Sequence, residues 1–162
     1  MPTHPDLHGD VREICELLQR YGRAIDSREL EDLRNVFTPD ATIEYAFEQG
    51  TRLEVQKMIP WLAKALRIFR MTDHVITEPI VDLAGDSARS TCRLVASHIQ
   101  VELDGRERTV IEAGTYTDEH VRTPVGWRIR ARRLDRQWVD GEYLSPAHVK
   151  LFDRPTGPKQ EQ

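Results

Sequence analysis

The feature that most constrains this chain is a change of hydrophobic period. Apolar residues recur every three to four positions up to Phe69, and every two positions from Thr72 onward. Helices therefore lead and strands follow. Asp10 and Glu13 have capping-box spacing and predict the start of a first helix, with an apolar stripe of Val11, Ile14, Leu18, Tyr21 and Ile25. A second short helix is predicted from Arg28 to Val36, capped by Ser27, with Leu30, Leu33 and Val36 facing inward. The turn Thr38, Pro39, Asp40 ends it, and Ala41 to Ala46 alternates as a short strand. Leu53 to Phe69 then returns to helical spacing, with a bend or restart at Pro60. Beyond Thr72, four strand-like stretches are separated by turn chemistry at Ala84 to Ser87, Asp104 to Arg106 and Thr123 to Gly126. This order predicts an α+β domain in which helices pack on one face of a strongly curved antiparallel sheet, whose concave side forms a pocket.

A length of 162 residues fits one such domain. Residues 10–140 are expected to form it, residues 1–9 to be a flexible start, and residues 141–162 a polar, partly disordered extension ending in DRPTGPKQEQ. The formal net charge of −4, with acids and bases intermixed, provides no single-signed field for nucleic acid or anionic lipid. No run approaches the ~18 apolar residues of a membrane span, and MPTHPDLHGD lacks the pattern of a secretory leader. A cytoplasmic location is the expectation. Cys15 and Cys92 lack CxxC spacing and are expected as buried free thiols. His4, His8, His120 and His148 are scattered without metal-site spacing, and GDS in AGDSARS reads as a hairpin turn. Neither metal nor cofactor is expected.

Acid and base chemistry then falls to a few side chains. Asp26 ends the first helix on the flank of its apolar stripe, where a carboxylate costs roughly 0.3 to 1 kcal/mol against the helix dipole unless a partner offsets it. His74, in TDHVI, is a candidate partner and a candidate base. Tyr21 and Tyr45 present buried rings whose hydroxyls need either a substrate oxygen or a backbone carbonyl. His98 shares strand parity with Cys92, Leu94 and Ala96, and serves either the cavity or the sheet. Arg128, Arg130 and Arg132 alternate with Trp127, Ile129 and Ala131 as a solvated stripe, while Arg133 is placed near the pocket mouth, to meet either an anionic substrate group or, as a structural pair, an Asp.

IDSRELEDLRNVFTPDATIEY resembles the early segment of scytalone dehydratases and bile-acid dehydratases, and AGTYTDEH followed by GWRI resembles strands of hexachlorocyclohexane dehydrochlorinases. From Val11 to Trp138 the chain is thereby similar to the SnoaL-like branch of the NTF2-like superfamily. The resemblance implies a cone-shaped fold and a catalytic dyad at Asp26 and His74. It implies a catalytic tyrosine at Tyr21, an oxygen-holding tyrosine at Tyr45 and a second histidine at His98. Gly114 and Tyr116 stand where scytalone dehydratases carry a Ser and Asn pair, which makes scytalone an unexpected substrate and Tyr116 a candidate substrate contact. The active-site Arg of bile-acid dehydratases has no clean counterpart, with Arg133 and Arg136 nearby. The implied activity is a cofactor-free lyase on a small hydrophobic, cyclic substrate, in a homotrimer. Ketosteroid-isomerase-like or polyketide-cyclase-like chemistry, or a non-catalytic ligand-binding role, are the alternatives.

Overall fold

The leading stripe forms α1 (Leu7–Ser27), which buries Ile14, Leu17, Leu18, Tyr21, Ala24 and Ile25. In this computed structural model residues 7–45 and 51–155 are described. Of the expected flexible start, residues 1–6, His4 among them, lie outside the described residues, as do the strand end at Ala46 and residues 156–162 of the extension, whereas residues 7–9 form the first turn of α1. The helix begins before the predicted capping box, and the box residues serve another purpose. Asp10 is buried and accepts hydrogen bonds from Arg122 Nη2 (2.6 Å) and Trp127 Nε1 (3.1 Å), while Glu13 accepts from the Trp127 backbone N–H at 2.8 Å. Carboxylates suit a helix N-terminus, and these also tie α1 to the sheet.

The second predicted helix is a tighter 3₁₀ helix (Leu30–Asn35) that buries Leu30 and Leu33. Thr38, Pro39 and Asp40 do not turn; they lie within β1 (Phe37–Tyr45), where the sheet register jumps between Phe37 and Thr42. Proline has no N–H to give a ladder and is accommodated at such irregularities. β2 (Thr51–Glu54) pairs with β1, and α2 (Val55–Ala65) buries Val55, Met58, Ile59 and Leu62 at helical spacing. A 3₁₀ turn (Leu66–Ile68) follows, so the helix predicted from Leu53 is flanked by a strand and a tighter turn. Pro60 sits inside α2 on its exposed side.

The period-two region forms β3 (Met71–Ile76), β4 (Ile80–Ala84), β5 (Ser87–Val101), β6 (Glu107–Thr123) and β7 (Gly126–Asp140). The three predicted turns connect β4 to β5, β5 to β6 and β6 to β7. A further break at Thr77 to Pro79 makes five strands rather than four. The sheet order is β2-β1-β7-β6-β5-β3, with β4 also pairing β5; β1 and β7 are parallel and the other pairs antiparallel. Along β5, Ala88, Ser90, Cys92, Leu94, Ala96, His98 and Gln100 are buried on the concave face. Alternation of this kind is what one packed face demands.

Two irregularities in β7 decide what faces the interior. His120 pairs with Ile129 but Glu119 with Ala131, leaving Arg130 as an extra residue; Gly114 pairs with Arg136 but Ala113 with Trp138, leaving Gln137 extra. Each bulge reverses side-chain parity. Arg132, expected in a surface stripe, is therefore buried at 2% exposure, while Arg130 stays outside. Gly114 lies opposite the second bulge, where a Cβ would stand 2.7 Å from the Asp135 carbonyl oxygen.

The extension from residue 141 is built into the domain as far as it is described. Buried Gln100 donates to the Leu144 carbonyl (2.9 Å) and accepts from the Leu144 N–H (2.8 Å), and Val149 is buried beside Glu102. A buried amide must find partners, and this segment supplies them. Among the described residues no helix is long and apolar enough to cross a membrane.

Candidate active site

β3 ends the sheet path, so the backbone groups on its outer edge have no strand to bond. α1 runs along that edge and supplies partners from its side chains. Gln19 Nε2 donates to the Ile76 carbonyl at 3.0 Å, and Asp26 Oδ2 accepts the His74 backbone N–H at 2.9 Å. Gly22 lies between them: a Cβ there would stand 3.3 Å from Ile76 Cδ1 and 3.6 Å from His74 Cβ, so nothing larger than a methyl group fits. This close approach lets a helix-end carboxylate reach a strand histidine far along the chain.

Asp26 Oδ1 meets His74 Nδ1 at 2.6 Å and accepts the Thr72 hydroxyl at 2.9 Å. Thr72 Oγ1 in turn accepts from Arg28 Nη1 at 2.8 Å, and the same nitrogen donates to the Ile25 carbonyl at 2.7 Å. Arg28 follows α1 in the left-handed region, with φ 66°, a conformation costing a non-glycine residue roughly 1–2 kcal/mol. Its guanidinium bonds the helix end in return. Burial alone would raise the Asp26 pKa, but hydrogen bonds from His74 and Thr72 and the neighbouring imidazole outweigh it and hold the carboxyl below its ordinary value. Asp26 is thus ionised at neutral pH and can only accept. Nδ1 of His74 therefore carries a proton, and in the neutral ring Nε2 is the nitrogen that holds the lone pair.

The His74 ring lines a cavity of about 320 Å³ between α1, α2 and the concave sheet. A larger, more open depression of about 620 Å³ lies on the outer side of α1 among Arg20, Arg23, Glu29 and Asp32, and the imidazole does not face it. Leu62, Leu66, Phe69 and Leu94 supply apolar wall to the smaller cavity; Tyr21, Tyr45, His98 and Tyr116 bring polar groups to it. Five residues singled out from the sequence thus surround one space, with Asp26 behind His74. Tyr21 and Tyr116 pack edge to face with ring centroids 5.7 Å apart. Their hydroxyls are hydrogen-bonded, and burial pushes the Tyr116 phenol well above its usual pKa, so it stays protonated.

Beneath these rings lies a group that the sequence concealed. The Arg132 guanidinium carbon is 4.2 Å from the Tyr21 ring centroid and 4.1 Å from that of Tyr116. It is held bidentately by Asp118 at 2.8 and 2.7 Å, with neither side chain more than 1% exposed. A fixed cation against both rings sets their planes.

Arg133 is not in the cavity. It is exposed, paired with Asp135 at 2.9 Å and with Glu44, because the bulge at Arg130 turns Arg132 and Leu134 inward and leaves Arg133 outward. Arg136, in phase with Leu134, lines the cavity instead, its Nη1 3.5 Å from Glu112. Tyr143, from the extension, also lines it and brings its hydroxyl 3.0 Å from His98 Nδ1. An isolated aromatic in an otherwise polar GEYLSP was its only sequence signal. Burial, with a smaller contribution from the neighbouring His74, pushes the His98 pKa down to about 3, so this imidazole is neutral at physiological pH. Cys92 is buried and Cys15 only partly so, both as free thiols. Among the described residues no three His, Cys, Asp or Glu side chains converge as a metal centre.

The sequence pattern described as a SnoaL-like domain matches residues 8–133. An uncharacterized protein of Mycobacterium tuberculosis (strain H37Rv) is 37% identical over 123 residues, covering 76% of this chain and 82% of the relative. A solved structure from Novosphingobium aromaticivorans, provisionally named a scytalone dehydratase, superposes with a TM-score of 0.75 at 19% identity, covering 94% of this chain and 97% of that one. A type 2 hexachlorocyclohexane dehydrochlorinase (LinA) superposes with a TM-score of 0.66 at 15% identity, covering 87% and 90%. At these identities the two structures share the fold of this chain.

Proposed function

The chain belongs to the SnoaL-like family and has the NTF2-like fold, and on that premise we propose that it is a cofactor-free lyase of the dehydratase or dehydrohalogenase type. The observation that carries this reading is the Asp26–His74 pair at 2.6 Å, with the imidazole on the wall of a mostly apolar cavity. His74 Nε2 removes a proton from substrate carbon, and ionised Asp26 stabilises the imidazolium that forms. Tyr21 and Tyr45 offer hydroxyl donors to the departing group or to an enolising oxygen, where preplaced dipoles stabilise developing charge, and Tyr116 backs Tyr21 by donating to its hydroxyl. The cavity volume fits a small cyclic, hydrophobic substrate.

The test is product mass. Purified protein is incubated with hydroxylated and halogenated cyclic candidates, and loss of water or hydrogen halide that disappears in His74→Ala supports a lyase. A His74-dependent product of unchanged mass indicates isomerisation or cyclisation after the same first step. Ligand binding with no His74-dependent turnover indicates a carrier.

We also propose a homotrimer, as the family resemblance implies. Val75, Val95, Ala113 and Trp138 line up across four strands on the convex face, with Val75 58%, Val95 41% and Trp138 49% exposed. An apolar stripe of that kind favours burial against another surface. Sedimentation equilibrium giving a monomer across micromolar concentrations would reject it.

A further inference from the structure

The wall of the cavity beyond His74 carries a second polar group of residues. His98 stands on β5, Glu112 on β6 and Arg136 on β7, and Tyr143 arrives from the segment after β7. The His98 ring lies 5.7 Å from that of His74, nearly perpendicular, and 4.9 Å from Phe69. Its Nδ1 is 3.0 Å from the Tyr143 hydroxyl, which also lies within hydrogen-bonding reach of the Glu112 carboxylate.

A buried, neutral imidazole carries one proton, and its neighbours decide which nitrogen holds it. The Tyr143 hydroxyl has one proton and two groups that would take it. Glu112 is a carboxylate, only 13% exposed, and accepts without being able to give. A charged acceptor binds a phenol proton more strongly than a neutral imidazole nitrogen does. The phenol proton therefore goes to Glu112, and the phenol oxygen meets a proton on His98 Nδ1. Nε2 is left with a lone pair.

We propose that Glu112 and Tyr143 are positioning residues that hold His98 as the Nδ1–H tautomer, making its Nε2 a hydrogen-bond acceptor that selects a substrate hydroxyl. In the lyase reading, on which the substrate part of this rests, His98 anchors a hydroxyl that stays on the substrate and does not protonate the leaving group. A tyrosine hydroxyl gives that proton to the leaving oxygen and is reprotonated by the proton that His74 took from carbon, so the cycle closes with loss of water. The substrate class narrows to cyclic compounds that keep a free hydroxyl within reach of His98 while the carbon that loses its proton meets His74, the two rings 5.7 Å apart.

The tautomer is read without any turnover, by two-dimensional ¹⁵N correlation of the histidine rings at pH 7. The expected result is protonated Nδ1 and unprotonated Nε2 at His98 in the native protein. Tyr143→Phe and Glu112→Met, each checked for an intact amide spectrum, are expected to move the proton to Nε2. A native His98 with the proton on Nε2 overturns the proposal, as does an unchanged tautomer in both folded variants. The substrate part is tested with 2-naphthol against 2-methoxynaphthalene, which lacks the hydroxyl proton. About tenfold tighter binding of the naphthol, lost in Tyr143→Phe, is expected for one hydrogen bond to a buried acceptor; equal binding overturns it. Failure of the lyase reading appears separately, as absence of His74-dependent product, and leaves the tautomer result standing.

Discussion

Asp26 and His74 are joined twice: one carboxylate oxygen accepts the backbone N–H of His74 at 2.9 Å and the other meets Nδ1 of its ring at 2.6 Å. The imidazole is thus oriented by the same group that holds its own backbone, which leaves little freedom in either.

An Asp26→Asn variant can satisfy only one of these bonds with its single oxygen. With that oxygen on the backbone N–H, its amide N–H₂ faces Nδ1 and forces the proton to Nε2, which removes the base. Turnover is expected to fall by ~10²-fold or more with the fold intact. Steady-state kinetics on the substrate found by product mass, with ¹⁵N shifts of His74, check both halves; wild-type kinetics in a variant with an inverted tautomer would contradict the role given to Nε2.

Acid should loosen the fold well above the carboxylate range. Burial pushes His98 down to about 3 and His120, hydrogen-bonded to Ser90 at 2.8 Å, down to about 4, both from an ordinary value of 6.5. A histidine depressed in the folded state binds its proton first in the unfolded state. Stability is therefore full above pH ~6.5 and declines as pH falls toward 4, by something on the order of 3 kcal/mol for each histidine. Urea unfolding between pH 7 and 4.5 measures this, and His120→Gln should flatten the slope.

Asp118 and Arg132 form a pair out of reach of water, so removing one charge strands the other. Asp118→Asn is expected to cost ~3–5 kcal/mol, whereas the joint change Asp118→Leu with Arg132→Met costs less because no charge remains buried. A double-mutant cycle by chemical denaturation tests the difference. If the single variant is no worse than the double, burial of an unpaired cation is not what the site resists.

Gly114→Ala would drive a methyl group toward the Asp135 carbonyl oxygen, 2.7 Å from its Cβ. The obstacle is backbone, so the bulge at Gln137 must shift, at a cost of roughly 1–3 kcal/mol. Thermal unfolding should show a drop of several degrees, and because Arg136 pairs with Gly114 beside that bulge, ligand binding in the cavity should weaken with it.

Much of the site was legible because it rests on local patterns. The 3.6-residue stripe put Asp26 on the flank of a buried helix face, and strand parity put His98 on one face with Cys92, Leu94 and Ala96, which the folded sheet turns toward the cavity. Arg132 and Arg133 face opposite to what alternation predicts, for one physical reason. Alternation predicts facing only while the ladder is unbroken, and bulges at Arg130 and Gln137 depend on how β6 and β7 pair, which no local window contains.

The sequence by itself determined that helices precede a curved antiparallel sheet, where its hairpins turn, and which acid and imidazole stand at the helix end and on the first strand of the sheet region. Hydrophobic period and turn chemistry are local properties and can be read along the chain. Only the tertiary structure decided that β3 is an edge whose free N–H draws Asp26 to His74. It likewise decided that Arg132 lies under Tyr21 and Tyr116, and that Tyr143 returns from a polar segment to reach His98. Each of these answers a buried or unpaired polar group with a partner from elsewhere in the chain, and such debts appear only once the elements have packed.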